Sequence, residues 1–293
     1  MRAFHTYHPV VNFTFFVATI GFSMVLMHPV CLAISLFCST ATALLFSTKK
    51  ATRFRLFSIL PLCIFSALLS PAFSHAGVTI LAYLPGGNPL TRESVIYGIA
   101  TACMLWNVMH WFACFHGVMH SDKLMYLFGK ITPALSLVFS MVLRFVPKCS
   151  AYVGAVFKAR RGLYGKSDGM RQKLNDGMQV LSATVSWSLE HSIETADSMK
   201  SRGYGLGHRT AFSNYRFCGR DSLALSVIFV FSLFILAGWI RGSIAFQYFP
   251  FIYAPAEGME RIWVFTAYFL LCMMPLFLEG WEAYTWKRSV SKI

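Results

Sequence analysis

Long apolar runs alternate along the chain with short stretches rich in cations, glycines and prolines. A helix that crosses a bilayer needs about 20 predominantly apolar residues. Six runs approach that length and predict membrane spans: Val10 to Met27, Val30 to Ser47, Leu56 to Phe73, Ser94 to Met119, Leu223 to Ile240 and Ile262 to Trp286. His28-Pro29 predicts a tight turn between the first two. KKATRFR, Lys49 to Arg55, precedes the third, and a polar loop carrying PGGNP (Pro85 to Pro89) separates the third from the fourth. The pattern predicts an all-α polytopic membrane protein of about six transmembrane helices, divided into residues 1–120, a distinct region 121–220, and residues 221–293.

Region 121–220 breaks the span pattern. LMYLFGKITPALSLVFSMVLRFVP is apolar but interrupted by Lys130, Pro133, Arg144 and Pro147, which predicts a membrane-embedded or interfacial helix. CSAYVGAVFKARRG continues as helix to Gly162. Beyond the connector GKSDGMRQKLNDG, the residues Met178, Leu181, Val185, Leu189, Ile193, Ala196 and Met199 recur at steps of three and four, one apolar stripe on a long helix. Glu190, Glu194, Asp197 and Lys200 mark its other sides, and Gly203 and Gly205 end it.

Composition sharpens the class. Of the 293 residues, 56% are hydrophobic and only 13% charged, against about 25% charged in a soluble domain. The net charge is +14. In a membrane chain such an excess reads as cationic loops on the cytoplasmic side, and no basic domain with base-stacking aromatics points to nucleic acid. With KKATRFR inside, both termini and region 121–220 are cytoplasmic and residues 74–92 lie outside. Fifteen of the 26 Lys and Arg residues fall in region 121–220. The eight cysteines form no C-x-x-C and read as small buried hydrophobes. The amino-terminal residues lack a short apolar region with a small-residue cleavage site, so the first run predicts a retained span.

Several chemistries are considered and set aside. GKS at Gly165 to Ser167 resembles the end of a phosphate-binding loop, but the pattern requires glycine where Arg160 stands. The chain itself is not expected to bind ATP, nor any other cofactor. His116 and His120, four apart on the fourth span and close to His110, could suit a metal, but no H-E-x-x-H pattern or second ligand cluster accompanies them. Arg92, Glu93, Arg241, Glu279 and Glu282 sit near span ends and suggest no row of carboxylates for an ion path. Asp122-Lys123 reads as an interfacial anchor.

One feature recurs. ARRGLYG (Ala159 to Gly165) and KSRGYG (Lys200 to Gly205) both set arginine before glycine where a helix is expected to end. Capping alone accounts for each, since glycine leaves a helix easily and a cation suits its carboxyl end. A pair so alike on one side of a membrane also suits two similar docking sites, for which the rigid, permanently charged arginine fork is apt.

LRFVP (Leu143 to Pro147), then KARRGL, then a helix closing in ADSMKSRGYG resemble the transmembrane T component of energy-coupling factor (ECF) transporters, the family that includes the membrane subunit of cobalt transport systems. The resemblance covers most of the chain and is strongest from Tyr126 to Gly205; its most specific piece is the closing A-x-x-M-x-x-R-G-Y-G. It implies a non-catalytic coupling subunit of an ATP-driven importer in the cell membrane, joining two ABC-type ATPases to a small membrane S component that selects a vitamin or metal ion. It implies two X-Arg-X docking motifs, Arg160-Arg161-Gly162 and Ser201-Arg202-Gly203, with Arg144, Pro147, Asp197 and Lys200 supporting the coupling helices. Arg160 stands where the family commonly has a small residue, and Arg161, followed by glycine, is favoured as the inserted side chain. The competing readings are a self-contained channel or secondary transporter, and a metalloenzyme using His110, His116 and His120.

Overall fold

A computed structural model describes residues 3–46, 49–73, 77–83, 89–129, 133–165, 169–204, 215–253 and 258–290. The chain divides into two compact units: unit 1 comprises Met1–Leu124 with Tyr215–Ile293, and unit 2 comprises Met125–Asn214.

Unit 1 is a helical bundle. After a 3-10 turn at Ala3–Thr6 it contains α1 (Pro9–Val25), α2 (Pro29–Phe46), α3 (Lys49–Phe73), α4 (Arg92–Val118), the start of α5 (Ser121–Gly129), α8 (Gly219–Ile240) and α9 (Met259–Val290). α4 packs against α1, α2 and α3, while α9 packs against α2 and α8. An aromatic cluster fills the centre: Phe4, Phe15, Phe16 and Trp111 are fully buried and meet largely edge to face, the arrangement their ring quadrupoles favour.

Two glycines set helix spacing. A Cβ on Gly98 would lie 2.6 Å from the Ala67 carbonyl oxygen, and one on Gly238 would lie 2.6 Å from Val264 Cγ2. Glycine therefore allows the close α3–α4 and α8–α9 approaches. Such contacts matter in lipid, where helices gain nothing from the hydrophobic effect against one another. Polar side chains supply a second kind of adhesion. Ser35, Ser39 and Thr42 on α2 face Asn107, Trp111 and Cys114 on α4, both series stepping by four and three. Trp111 Nε1 donates to Ser35 Oγ at 3.1 Å and Asn107 Nδ2 donates to the Leu32 carbonyl at 3.1 Å. The Ser23 hydroxyl bonds those of Ser35 and Tyr268, at 3.1 and 3.2 Å, tying α1 to α2 and α9.

The amino-terminal segment is clamped by two buried charged side chains. Lys123 Nζ donates to the His5 carbonyl at 2.8 Å. In the amide orientation that satisfies both neighbours, Asn12 accepts from Lys123 at 3.1 Å and donates to the Phe4 carbonyl at 3.2 Å. Burial lowers the Lys123 ammonium from its ordinary pKa. Asp221 accepts from the backbone N–H groups of His8 and Cys218, at 3.2 and 3.0 Å, joining the start of α1 to the start of α8. Lys123, read from sequence as an interfacial anchor, is thus an interior tether.

The structure is mostly helical, as expected, and three details refine the expectation. First, residues 80–83 (β1, Ile80–Tyr83) and 89–91 (β2, Pro89–Thr91) pair as a short antiparallel ribbon within a fold that is otherwise helical. Most of PGGNP lies outside the described residues. Second, KKATRFR, which precedes the third expected span, forms the first turns of α3. Third, the count of six spans is not confirmed. Four helices among the described residues are long and apolar enough to cross a membrane: Arg92–Val118, Leu137–Tyr164, Gly219–Ile240 and Met259–Trp286. The first three expected spans fall on α1, α2 and α3, whose apolar stretches among the described residues are shorter, Pro9–Val25, Pro29–Leu45 and Ile59–Pro71. Leu137–Tyr164, expected as an embedded or interfacial helix, is itself of spanning length.

Candidate docking site on the two-helix unit

Unit 2 is built on α6 (Pro133–Tyr164) and α7 (Met170–Ser201). Both are 32 residues long. Their side-chain pairs run in opposite order: Arg160 meets Asp176, Tyr152 meets Trp187, and Phe145 meets Trp187 and His191. The two helices therefore form an antiparallel hairpin. Trp187 is its centre, stacked on Tyr152 at 4.4 Å and 9° and on His191 at 5.3 Å and 7°.

The face of α7 turned to α6 carries Val180, Thr184, Trp187 and His191. Val180 and Thr184 are the buried residues of this helix. The stripe read from sequence lies elsewhere on it: Met178, Leu181, Val185, Leu189 and Ile193 are each more than half exposed. Two faces at helical spacing compete here. The stacked aromatics win the intramolecular contact and leave the aliphatic stripe uncovered within the unit. On α6, Val138, Phe139, Val142, Leu143 and Val146 are likewise exposed.

The two arginine–glycine motifs end their helices differently. In KSRGYG, Arg202 caps α7 and Gly203 takes φ +82°. The Tyr204 N–H donates to the Met199 carbonyl and the Gly203 N–H to the Lys200 carbonyl, each at 3.0 Å, which is the Schellman pattern. In ARRGLYG the helix runs through Arg161 and Gly162 and stops at Gly165, φ +75°, whose N–H donates to the Arg161 carbonyl at 3.0 Å. The expectation that α6 ends at Gly162 is therefore corrected: the second glycine of the motif breaks it, because that residue takes the left-handed conformation.

Neighbouring arginines also divide their work. Arg160 Nη2 lies 2.6 Å from Asp176 Oδ1, its Nε donates to the same oxygen at 3.1 Å, and it also bonds Gln179. Its guanidinium lies 5.5 Å from the Tyr164 ring centre. Arg160 is thus a brace between α6 and α7. Arg161 and Arg202 are exposed, and neither makes a hydrogen bond or ion pair in the described structure. Ser201 is exposed and donates to the Ser198 carbonyl at 3.0 Å. Because the hairpin is antiparallel, Arg161 and Arg202 sit near opposite ends.

Arg144, Asp197 and Lys200 are exposed on the same two helices, and Pro147 lies inside α6 without ending it. Sequence reading missed Asp176, Gln179, Tyr152 and Trp187. Trp187 and His191, four apart, were a visible signal, whereas Asp176 inside a Gly- and Asp-bearing connector resembled a turn residue.

The histidines do not gather. α4 stops at Val118, so His120 is not on a helix face with His116. His110 stacks on Trp106 at 5.3 Å and bonds the Trp106 carbonyl at 3.1 Å, while His120 faces His5 at 6.3 Å. Among the described residues no three His, Cys, Asp or Glu side chains form a group able to hold a metal. Lys166 and Ser167 of GKS lie outside the described residues.

The fold and these surfaces define a helical multi-pass membrane protein that carries a separate two-helix unit. No known family and no curated protein matches the chain.

Proposed function

We propose that this protein is the transmembrane coupling subunit of an ECF-type ABC importer, joining a pair of ATPases to a membrane S component for vitamin or metal-ion uptake. The observation that carries the reading is the contrast between Arg160, held by Asp176, and the exposed, unengaged Arg161 and Arg202. A guanidinium on a helix end with no partner among the described residues suits a groove on another protein. Their placement on the carboxyl ends of two oppositely directed helices suits two separate ATPases better than one. The uncovered stripe from Met178 to Ile193 supports a further partner or the bilayer against α7. A self-contained channel has less support: polar side chains inside unit 1 bond one another between helices, and the grooves at α1–α8 and among α2, α3 and α4 are lined by apolar residues and cysteines.

The test is co-purification from detergent of the tagged chain with its candidate ATPase pair, wild type against Arg161→Glu with Arg202→Glu. Truncating one member of a buried, hydrogen-bonded charge pair costs about 2–5 kcal/mol, so reversing both charges removes the ATPases while membrane insertion stays normal. Retention of transport-competent ATPases by the double variant refutes the reading.

A further inference from the structure

The connection between α3 and α4 carries no charged residue from Gly77 to Thr91. The base of its ribbon is fixed to α4. The Arg92 N–H donates to the Thr79 carbonyl at 3.0 Å, Thr79 Oγ1 donates to the Glu93 carboxylate, and β2 packs against α3 and α4. Arg92 opens a helix of spanning length, so the ribbon stands at the level where that helix leaves the membrane.

Successive side chains of a strand point to opposite faces, so a strand with one covered face alternates between buried and exposed. β1 does not alternate: all four of its residues are exposed. Leu81 and Tyr83, with Val78 ahead of the strand, are more than half exposed, and Ile80 is half exposed. Both faces of β1 are therefore apolar and uncovered. Among the described residues no strand lies beside its other edge. These two observations bound what can cover it. A partner protein or a second copy would add a strand to the open edge or pack on one face, and either would leave apolar side chains in water. Lipid can surround both faces of a ribbon that dips into it. The hydrocarbon core is excluded, because an open strand edge there would leave backbone groups without water. The bilayer interface meets both conditions, and it is the level that tyrosine favours.

We infer that the β1–β2 ribbon is a lipid-binding element that dips into the bilayer interface beside α4 without crossing it. Ile80, Leu81 and Tyr83 sit among the upper acyl chains, at the depth of about 5–10 Å that interfacial apolar elements reach. The inference is independent of the coupling role.

The test uses the full chain in phosphatidylcholine nanodiscs. A polarity-sensitive fluorophore is attached at Leu81→Cys or, on the opposite face, at Ala82→Cys, with Cys103→Ala, Cys149→Ala and Cys218→Ala removing the cysteines that are not buried. Both labels should emit blue-shifted and lose most of their emission to lipids carrying a nitroxide near the headgroup end of the acyl chain. They should lose less to a nitroxide near the chain terminus and little to aqueous iodide. Strong iodide quenching at both positions without lipid quenching puts the ribbon in water and overturns the inference. Lipid quenching at one position only means that a single face meets the bilayer, and protection from both quenchers means that protein covers the ribbon; each overturns it. Should labelling disturb the fold, methyl-labelled wild-type protein reports instead: the Ile80 and Leu81 methyl groups show cross-relaxation with acyl-chain protons, and its absence overturns the contact.

Discussion

Adjacent arginines of one motif have separable duties. Arg160 and Asp176 are partly exposed, so their pair contributes about 1 kcal/mol at most. Arg160→Ala should lower the melting midpoint of the purified protein measurably, whereas Arg161→Ala should leave it unchanged; equal effects would contradict the division. His28 makes a residue-scale prediction of its own. Its folded pKa, about 4, lies below the ordinary 6.5, so the unfolded chain binds the extra proton first. The stability that neutral His28 contributes is full above about pH 6.5 and falls as pH drops from there toward 4. His28→Gln should flatten that slope in thermal melts. Residues of this kind were only half legible. The arginines stood out by repetition, but Asp176, which decides what Arg160 does, carries no signal until the chain folds.

At the scale of elements, hydrophobic runs located most helices. α4 at Arg92–Val118 and α8 at Gly219–Ile240 lie within a few residues of the runs that predicted them. The end of α6 was misread because either glycine of RGLYG can terminate a helix, and only backbone geometry chooses. The face of α7 was misjudged because periodicity finds stripes without saying which one a neighbour takes. Trp187 decides that choice by stacking on Tyr152 and His191. Aromatic pairs of this kind contribute about 0.5–1.5 kcal/mol beyond burial. Trp187→Leu should therefore loosen the α6–α7 hairpin, seen as faster amide exchange confined to residues 145–191, while Leu189→Ser, on the exposed stripe, should leave exchange in the hairpin unchanged. Between α8 and α9, Gly238→Leu should destabilise the bundle by about 1–3 kcal/mol through overpacking against Val264, read from the detergent concentration at which the protein unfolds.

For the whole molecule, composition alone determined the environment. A chain 56% hydrophobic and 13% charged cannot present a water-facing surface all round, and its apolar runs can satisfy their backbone groups in lipid only as helices. Tertiary structure decided what the runs could not: which helices reach spanning length, which glycines let helices touch, and which polar side chains are consumed between them. It also put Arg161 and Arg202 on the carboxyl ends of two oppositely directed helices and packed His28 against Phe265, distant in sequence. Local pattern records the free energy of leaving water, a property of each segment. Partner choice depends on contacts between distant segments, which exist only once the chain has folded.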